Sequence, residues 1–354
     1  MALADLSLDE LSALFKAWGE PQFHAVQVWR WLHLSSVTSF DEMSDLPARI
    51  RQELAENSVL NSLLPVHVQS SVDRETEKVL FRLRDGKNIE AVSMRQPRRR
   101  GGRHTVCVST QAGCPVGCAF CATGQQGFRR NLSAGEIVEQ VLFFARKSPE
   151  SPVSNVVFMG MGEPLLNYEA TVKAIRILNA PQGRNLGARH ITVSTAGVVP
   201  GIKRLSGEGM QVGLAISLHA PNDSLRQSLV PLGRKYPLRA LIAAARDYFA
   251  STGRRVSFEY TLFNGINDSV SLAAQLARLL AGMNCHVNLI PANRNADSTF
   301  RAPSRDRVAA FRDELIRRGV TTTLRRSLGG DIQAGCGQLA AYDTLLKPCT
   351  SGNR

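Results

Sequence analysis

Three of the seven cysteines form a compact C-x3-C-x2-C pattern, Cys114-Pro-Val-Gly-Cys118-Ala-Phe-Cys121. Three thiolates on one loop can hold three corners of an iron-sulfur cube and leave the fourth iron open. Structural zinc uses four closed ligands, usually as two C-x2-C pairs, and the neighbouring sequence offers neither a second pair nor a His-rich partner. The pattern therefore predicts an iron-sulfur cluster, with structural zinc and buried structural thiols as the alternatives.

The cysteine motif lies just after the first of seven short β-rich apolar runs, which alternate with helical segments. The runs cover residues 105–110, 155–161, 189–195, 212–218, 255–263, 286–291 and 321–326. Such a βα repeat gives a parallel sheet, and this number of units fits a complete or partial (β/α) barrel better than an open doubly wound sheet. In a barrel the functional residues lie at the C-terminal ends of the strands, which is where the motif begins.

The first 60 residues have a different pattern, since Leu8, Leu11, Leu14 and Phe15 recur at helical spacing. A strand, a turn at Asp85-Gly86 and a second strand are then expected between residues 66 and 94. These patterns divide the chain into a helical accessory, RNA-binding domain (1–64), a hairpin with an arginine-rich linker (65–104), a barrel (105–345) and a tail (346–354).

The charge is strongly positive: 43 Lys and Arg against 30 Asp and Glu give +13. Five arginines fall between Arg95 and Arg103, in what reads as an exposed loop. This excess favours a polyanionic partner such as RNA or DNA over a membrane surface. No apolar run reaches the roughly 18 residues that span a bilayer, so a membrane protein is excluded. The acidic N-terminus lacks a secretory pattern, which predicts a cytoplasmic protein without structural disulfides, and we expect a monomer.

Four motifs carry a resemblance to a known family. The cysteine motif after a first barrel strand resembles the signature of radical S-adenosylmethionine (SAM) enzymes. Within that superfamily the chain resembles the RlmN family of dual-specificity RNA methyltransferases, from the helical region to about Leu339. The resemblance implies an α/β fold, namely a partial (β/α) barrel of the radical SAM type with a small N-terminal helical domain. The matching segments are Cys118-Ala-Phe-Cys121-Ala-Thr-Gly-Gln-Gln-Gly-Phe128, Met159-Gly-Met-Gly-Glu-Pro-Leu165, Ser217-Leu-His-Ala-Pro-Asn-Asp223 and Cys336-Gly-Gln-Leu339.

The resemblance implies a reaction at C2 of an adenosine, in 23S rRNA and in some tRNAs on the 3′ side of the anticodon. That carbon is electron-poor, so it cannot attack a methyl donor as a nucleophile and a radical route is required. One 4Fe-4S cluster on Cys114, Cys118 and Cys121 would bind SAM at its open iron and cleave it with one electron. A reductant such as flavodoxin or ferredoxin would supply that electron, and two SAM molecules would be used per turnover.

The resemblance also assigns roles to single residues. Cys336 would carry the methyl group, Cys107 would resolve the covalent RNA adduct by forming a disulfide, and Glu90 would be the general base. Taken alone, Cys336 could be only a buried small hydrophobic residue, and Glu90 only a solvated charge. Gly162 could equally be only a turn, Ser194 a helix cap and His219 a core histidine. The implied SAM contacts, which follow the predicted strands, are Gly162, Glu163, Ser194, Ser217, Leu218, His219 and Asn293.

Two departures from the family pattern concern loop geometry and substrate choice. The Asn-Pro pair usual after Asn293 is missing, and Gly335 replaces the alanine common before the methyl-carrying cysteine. Two rival functions remain at this point: the related methyltransferase that modifies C8 of adenosine, and a non-catalytic RNA-binding metal protein. Cys285 and Cys349 match no family function and are expected to be packing and tail residues.

Overall fold

A computed structural model describes residues 1–96, 102–293, 300–325 and 328–340 of the chain. The helices in these residues are α1 (Leu8–Ala17), α2 (Gln22–Arg30), α3 (Ala48–Asn57), α4 (Ala122–Gln125), α5 (Ala134–Lys147), α6 (Tyr168–Asn179), α7 (Val199–Ser206), α8 (Asp223–Leu229), α9 (Leu238–Thr252), α10 (Val270–Leu279) and α11 (Arg305–Arg317). The strands are β1 (Leu63–Ser70), β2 (Thr76–Leu83), β3 (Asn88–Gln96), β4 (Arg103–Cys107), β5 (Gln111–Gly113), β6 (Phe128–Asn131), β7 (Asn155–Phe158), β8 (Ile191–Thr195), β9 (Gly213–Ser217), β10 (Val256–Leu262), β11 (Cys285–Pro291) and β12 (Thr322–Leu324).

The N-terminal region is helical, as the apolar spacing predicts. Helix α1 begins at a capping box, in which Ser7 and Glu10 each accept the other's backbone N–H. Its buried face, Leu11 and Phe15, joins Trp29 of α2 in the core. The N-terminal region also contacts helix α5, where the backbone N–H of Gly135 donates to the Asp5 carboxylate at 2.6 Å.

Ten strands form one sheet, in the order β1-β2-β3-β4-β7-β8-β9-β10-β11-β12. Strands β1 to β4 pair antiparallel, whereas the strands from β4 through β7 to β12 pair parallel, so the seven predicted parallel strands are all present. Strands β5 and β6 form a separate antiparallel pair. Most of the parallel strands are shorter than predicted. The first ends at Cys107 instead of residue 110, because the chain then turns to support the loop after β7, where Thr110 N–H donates to the carbonyl of Met161.

The predicted hairpin is present, with β2 and β3 joined at Asp85-Gly86. It differs from the expectation in two ways. A further strand, β1, precedes it, and β3 pairs with β4, so the hairpin is continuous with the barrel sheet. The arginine-rich stretch also begins and ends within strands, since Gln96 pairs with Arg103. Arg98, Arg99 and Arg100 lie outside the described residues, as does Cys349.

The parallel part of the sheet is curved. Residues from six of its strands line a single cavity, although a flat sheet would keep them apart. In the described residues β1 and β12 are the two edges of the sheet, so this is a partial barrel. Among the same residues, no helix combines the length and apolarity needed to cross a membrane. One lining residue from each of these six strands is, in strand order, Thr105, Val157, Thr192, Ala215, Ser257 and Asn288.

Candidate active site

Two cavities meet inside the partial barrel, and Cys336 lies on the wall that they share. We call the first the cluster cavity, because the three motif cysteines line it. Most of the predicted SAM contacts line it as well. The second, the lumen cavity, is enclosed by the strands and is lined by Cys107. The predicted site residues of the cluster cavity are Cys114, Cys118, Cys121, Gly162, Glu163, Ser194, Ser217, His219, Asn293 and Cys336.

The cysteine loop, residues 114–121, is held mainly by backbone contacts. Cys114 N–H donates to the carbonyl of Gly127 at 3.0 Å, and Ala119 N–H donates to that of Leu229 at 3.0 Å. The entry to the loop requires glycine, because a Cβ at Gly113 would lie 1.9 Å from the Gly127 oxygen, and its φ is +74°. A loop fixed in this way presents its thiols in a defined arrangement.

The three thiols fit a ligand that takes them as thiolates. Burial raises the pKa of Cys114 to about 12 and raises that of Cys118 and Cys121 as well. Neutral thiols this deep need a strong Lewis acid to deprotonate them, and iron provides one. In the part of the chain described, no group of three His, Cys, Asp or Glu side chains is arranged around a single metal ion. A 4Fe-4S cluster has a different requirement, because each thiolate binds a different iron.

Glu163 is a buried carboxylate at the edge of the cluster cavity. Its Oε1 accepts from Leu165 N–H at 3.0 Å and its Oε2 from Ala196 N–H at 2.7 Å. Burial raises its pKa to about 7, and these backbone donors oppose the shift. A carboxylate oriented by two fixed amides is well placed to accept from a cationic amino group.

His219 also lines the cluster cavity, and it adopts a left-handed backbone conformation with φ of +59°. Burial lowers its pKa to about 3, so the ring is neutral. Thr261 N–H donates to its Nδ1 at 3.0 Å, which places the ring proton on Nε2. Leu218, the adjacent predicted contact, has a fully buried side chain and does not line either cavity; its backbone N–H donates to the Glu259 carbonyl.

The segment that carries Cys336, residues 328–340, is held largely by side chains from distant parts of the sequence. We call it the Cys336 segment. Cys336 itself is exposed to the cavities. Two of the segment's N–H and carboxylate groups bond to the antiparallel strands and their connections: Val72 N–H donates to the Asp331 carboxylate, and Ala340 N–H donates to the Glu90 carboxylate. Four of the segment's carbonyl groups accept from side chains, namely Gln333 from Lys78, Cys336 from Asn293, Leu339 from Thr123, and Ala340 from Gln126.

Glu90 is buried, contrary to the alternative of a solvated hairpin charge. Its Oε1 pairs with Lys78 Nζ at 3.1 Å, and both side chains are less than a tenth exposed. Its Oε2 accepts from Ala340 N–H at 2.7 Å. Because Lys78 and Cys107 both pair with Val92, and side chains alternate along a strand, Lys78, Glu90 and Cys107 share one face of the sheet. Glu90 therefore fastens the Cys336 segment; it does not line either cavity.

Cys107 ends β4 and is buried, and this burial raises the pKa of its thiol to about 12. Arg325 follows β12 and lines both cavities. The Cys336 thiol raises the pKa of Arg325 most, and Glu259 and Cys107 raise it further. Arg325 NH1 lies 3.6 Å from Glu259 Oε2. A cation thus stands beside both thiols.

One departure from the family pattern, Gly335, contacts Asn293, whereas the positions after Asn293 where the Asn-Pro pair is missing lie outside the described residues. A Cβ at Gly335 would lie 2.5 Å from Asn293 Nδ2 and 2.7 Å from Gln338 Oε1. Asn293 Nδ2 uses that space to donate to the Cys336 carbonyl at 3.2 Å. The missing methyl group therefore makes room for the Asn293 amide.

Sequence reasoning missed three charged residues near the site: Lys78, Arg226 and Arg325. Arg325 could have been found, because it follows the last parallel strand just as the SAM contacts follow theirs. Lys78 gave a weaker signal, as a lysine directly before the apolar run Val79-Leu80-Phe81. Arg226, on α8, gave none.

Comparison with known proteins matches two family models. The radical SAM superfamily matches residues 108–276, and the ribosomal RNA large subunit methyltransferase N-terminal domain matches residues 1–60. Members of this superfamily generally use SAM and a 4Fe-4S cluster.

Curated relatives and a solved structure extend the match over nearly the whole chain. A probable dual-specificity RNA methyltransferase RlmN from Symbiobacterium thermophilum is 48% identical over 339 residues, covering 95% of this chain and 90% of the relative. A dual-specificity RNA methyltransferase RlmN from Anaeromyxobacter sp. is 47% identical, covering 96% and 90%. The crystal structure of a radical SAM methyltransferase from Sphaerobacter thermophilus is 51% identical with a TM-score of 0.94, covering 97% and 100%.

These matches confirm the expected fold class and an enzyme, and they do not favour the C8 methyltransferase or the non-catalytic RNA-binding protein. Identity near one half over the full length of both chains leaves little room for a different assignment. The chain therefore belongs to the RlmN family of dual-specificity RNA methyltransferases, within the radical SAM superfamily.

Proposed function

We propose that this methyltransferase modifies C2 of an adenosine in 23S rRNA and of the adenosine 3′ to the anticodon in some tRNAs, through a methylated Cys336. The observation that carries the proposal is the position of Cys336 on the wall between two cavities. One cavity contains the three motif cysteines, and the other contains Cys107. A thiol in this position can accept a methyl group from the cluster cavity and react with the Cys107 thiol in the lumen cavity.

The cluster cavity would hold one 4Fe-4S cluster on Cys114, Cys118 and Cys121, with SAM beside it. When bound, the cluster supplies the electron that starts radical cleavage of SAM. Glu163 would accept from the amino group of SAM, in keeping with its two orienting amides. Gly162, Ser194, Ser217, His219 and Asn293 line the same cavity and would contact the rest of the molecule, whereas buried Leu218 could contribute only through its backbone.

Cys336 Sγ would accept the methyl group of one SAM, and a second SAM would be used to activate that methyl for bonding to C2. Because that methyl carbon bonds to C2 as a radical, the adduct gives up one electron, which balances the electron used to cleave the second SAM, and then its C2 proton. Cys107 Sγ, as the thiolate, attacks Cys336 Sγ and forms an S–S bond. The bond between Cys336 Sγ and the bridging carbon breaks, and that carbon takes a proton to complete the new methyl group.

Glu90 would accept the C2 proton. Its place on the same face of the sheet as Cys107 supports this role. Its contact with Ala340 N–H means that the Cys336 segment must shift before the carboxylate can reach the base. The proposed role therefore includes a movement of this segment.

The remaining assignments follow from the proposed reaction. The N-terminal residues 1–64 would act as an RNA-binding helical domain, with residues 65–104 linking it to a barrel at 105–345 and a tail at 346–354. A flavodoxin or ferredoxin would reduce the cluster, and the enzyme would act as a monomer in the cytoplasm. The net charge of +13 supports an RNA partner.

The test separates the two thiols. Cys107→Ala leaves the methyl acceptor and removes the resolving thiol, so RNA should stay attached through Cys336. Protein purified from cells should then carry nuclease-sensitive mass on a denaturing gel. Cys336→Ala and the double variant should carry none, and Cys285→Ala is the matched control for loss of a buried thiol. Equal behaviour of Cys107→Ala and the double variant would refute the assignment.

The substrates are tested separately by nucleoside mass spectrometry. Deletion of the gene should remove 2-methyladenosine from the 23S rRNA pool and from the tRNA pool. Loss of 8-methyladenosine instead would replace the proposed carbon with C8.

A further inference from the structure

Arg226 is a fully buried cation whose guanidinium is only partly hydrogen-bonded. It lies on α8, and its exposed fraction is 0%. Its NH2 donates to the Ala196 carbonyl at 2.5 Å. Its Nε and NH1 are buried and have no hydrogen-bond partner among the described residues. Burying two donor nitrogens without acceptors costs a large amount of free energy. An uncharged side chain at this position would avoid that cost, so the fold alone does not explain the arginine.

The surroundings of the guanidinium are closely fitted. A Cβ at Gly197 would lie 3.0 Å from NH2, and one at Gly233 would lie 3.0 Å from NH1. Both positions are glycine, so the backbone approaches the charge from two sides. The guanidinium therefore has little freedom to turn toward another partner.

Arg226 lies on the helix that holds the cysteine loop, because the Leu229 carbonyl of α8 accepts from Ala119 N–H at 3.0 Å. Burial lowers the pKa of Arg226, and the Cys118 thiolate raises it ahead of Asp223. Conversely, Arg226 lowers the pKa of Cys118 against the effects of burial, the neighbouring cysteines and Glu163. On the other side, the Ala196 peptide joins Arg226 to Glu163, since its carbonyl accepts from Arg226 and its N–H donates to Glu163. The cation thus lies directly behind the wall of the cluster cavity.

We propose that Arg226 is the fixed countercharge of the iron-sulfur cluster, and that it raises the cluster's reduction potential by stabilising the added electron. The inference rests on the proposed cluster at Cys114, Cys118 and Cys121. Three thiolates give the assembled site a net negative charge, and reduction increases it. A buried positive charge beside Cys118 lowers the free energy of both states and that of the reduced state more.

A role in binding SAM or RNA directly fits the geometry less well. Arg226 has no exposed surface and does not line the cluster cavity, so a ligand in that cavity cannot reach its nitrogen atoms. Arg226 is accordingly a positioning residue, which acts on the reaction through the potential of the cluster.

The experiment compares reconstituted full-length variants by spectroelectrochemical titration. Arg226→Met removes the charge and should lower the ratio of reduced to oxidised cluster at a fixed potential by about tenfold, equal to about 59 mV for one electron. Arg226→Lys keeps the charge and should remain close to wild type. Arg254→Met is the matched control, because Arg254 also has a buried, unpartnered Nε but lies before β10, at the opposite end of the strands.

The outcomes separate charge from packing. An unchanged potential in an Arg226→Met variant with full iron content would overturn the inference, as would equal shifts in the Lys and Met variants. If Arg226→Met fails to assemble the cluster, the Lys variant decides: assembly there supports the countercharge, and failure there overturns it in favour of a packing role. Wild-type protein that assembles no cluster would refute the proposed function itself.

Discussion

The cysteine loop and the Cys336 segment both present thiols to the cluster cavity, but they are built in different ways. The loop places three cysteines within eight residues and is held by backbone hydrogen bonds to nearby parts of the barrel. The segment places one cysteine near the end of the chain and is held by side chains more than 200 residues away, including Thr123, Lys78 and Glu90.

This difference matches what each region has to do. A loop that binds a cluster should stay rigid, because the arrangement of its thiolates sets the geometry of the site. The segment that we propose to carry a group between the two cavities needs contacts that can be released one at a time. Side-chain contacts serve that purpose better than a continuous backbone ladder.

The largest effect is expected in the cysteine loop. Alanine at Cys114, Cys118 or Cys121 removes one of three ligands and should reduce iron after anaerobic reconstitution to background, abolishing SAM cleavage. Iron and sulfide analysis measures this directly. Cys285→Ala, a buried thiol on β11, should retain full iron. Full iron in all three loop variants would mean that these cysteines are not the ligands.

The next effect should appear only in the Cys336 segment. Lys78→Met leaves the Glu90 carboxylate buried without its ion pair, which typically costs about 3–5 kcal/mol. Hydrogen exchange in residues 328–340 should therefore accelerate strongly, while that of the cysteine loop stays unchanged. Lys87→Met is the control, because its pair with Asp85 is more than a third exposed and is worth about 0–1 kcal/mol. Uniform acceleration throughout the barrel would show that Lys78 stabilises the fold as a whole.

A smaller effect is expected at the contact between Gly335 and Asn293. Gly335→Ala introduces a Cβ 2.5 Å from Asn293 Nδ2, so the Asn293 amide must move and its bond to the Cys336 carbonyl is lost. A loss of about 1 kcal/mol corresponds to roughly fivefold weaker SAM binding, which equilibrium dialysis of the reconstituted enzyme can detect. Gly330→Ala should bind SAM normally, because its Cβ would meet no atom within 4 Å. Equal affinities in the two variants would show that Asn293 does not contribute to SAM binding.

The last effect lies outside both regions and serves as a reference for them. Glu139 on α5 accepts from Ser62 and Leu63 N–H, and burial raises its pKa to about 7. Its native state thus holds a proton that the unfolded state releases above about 4.5. The contribution of this proton to stability is full below pH 4.5 and is lost as the pH rises through 7, at about 1.4 kcal/mol per pKa unit.

Glu139→Gln should remove this dependence. Urea unfolding at pH 5 and pH 8 should show wild type losing stability relative to the variant at the higher pH. Parallel pH profiles for the two proteins would contradict the raised pKa. Neither the cysteine loop nor the Cys336 segment should change in hydrogen exchange.

The sequence predicts local features best. The spacing of Cys114, Cys118 and Cys121 is visible because the three residues share a loop, and the seven parallel strands are visible because each has its own apolar run. The fastening of the Cys336 segment could not be predicted, since it depends on which strand residues face inward and on their register with β4. Glu90 illustrates this limit: the sequence indicates it as a candidate residue, but its burial against Lys78 and Ala340 follows only from the folded sheet.

The pairing of β3 with β4 also bears on which insertions and deletions this family can tolerate. Val92 pairs with Cys107, so the distance between Glu90 and the Cys107 thiol is set by strand register. Removing a single residue from β3 between them would turn Glu90 to the opposite face of the sheet. Gains or losses of residues between Gln96 and Arg103 would leave that register intact. Length variation among homologues should therefore be common in the arginine-rich connection between Gln96 and Arg103 and rare in β3 and β4.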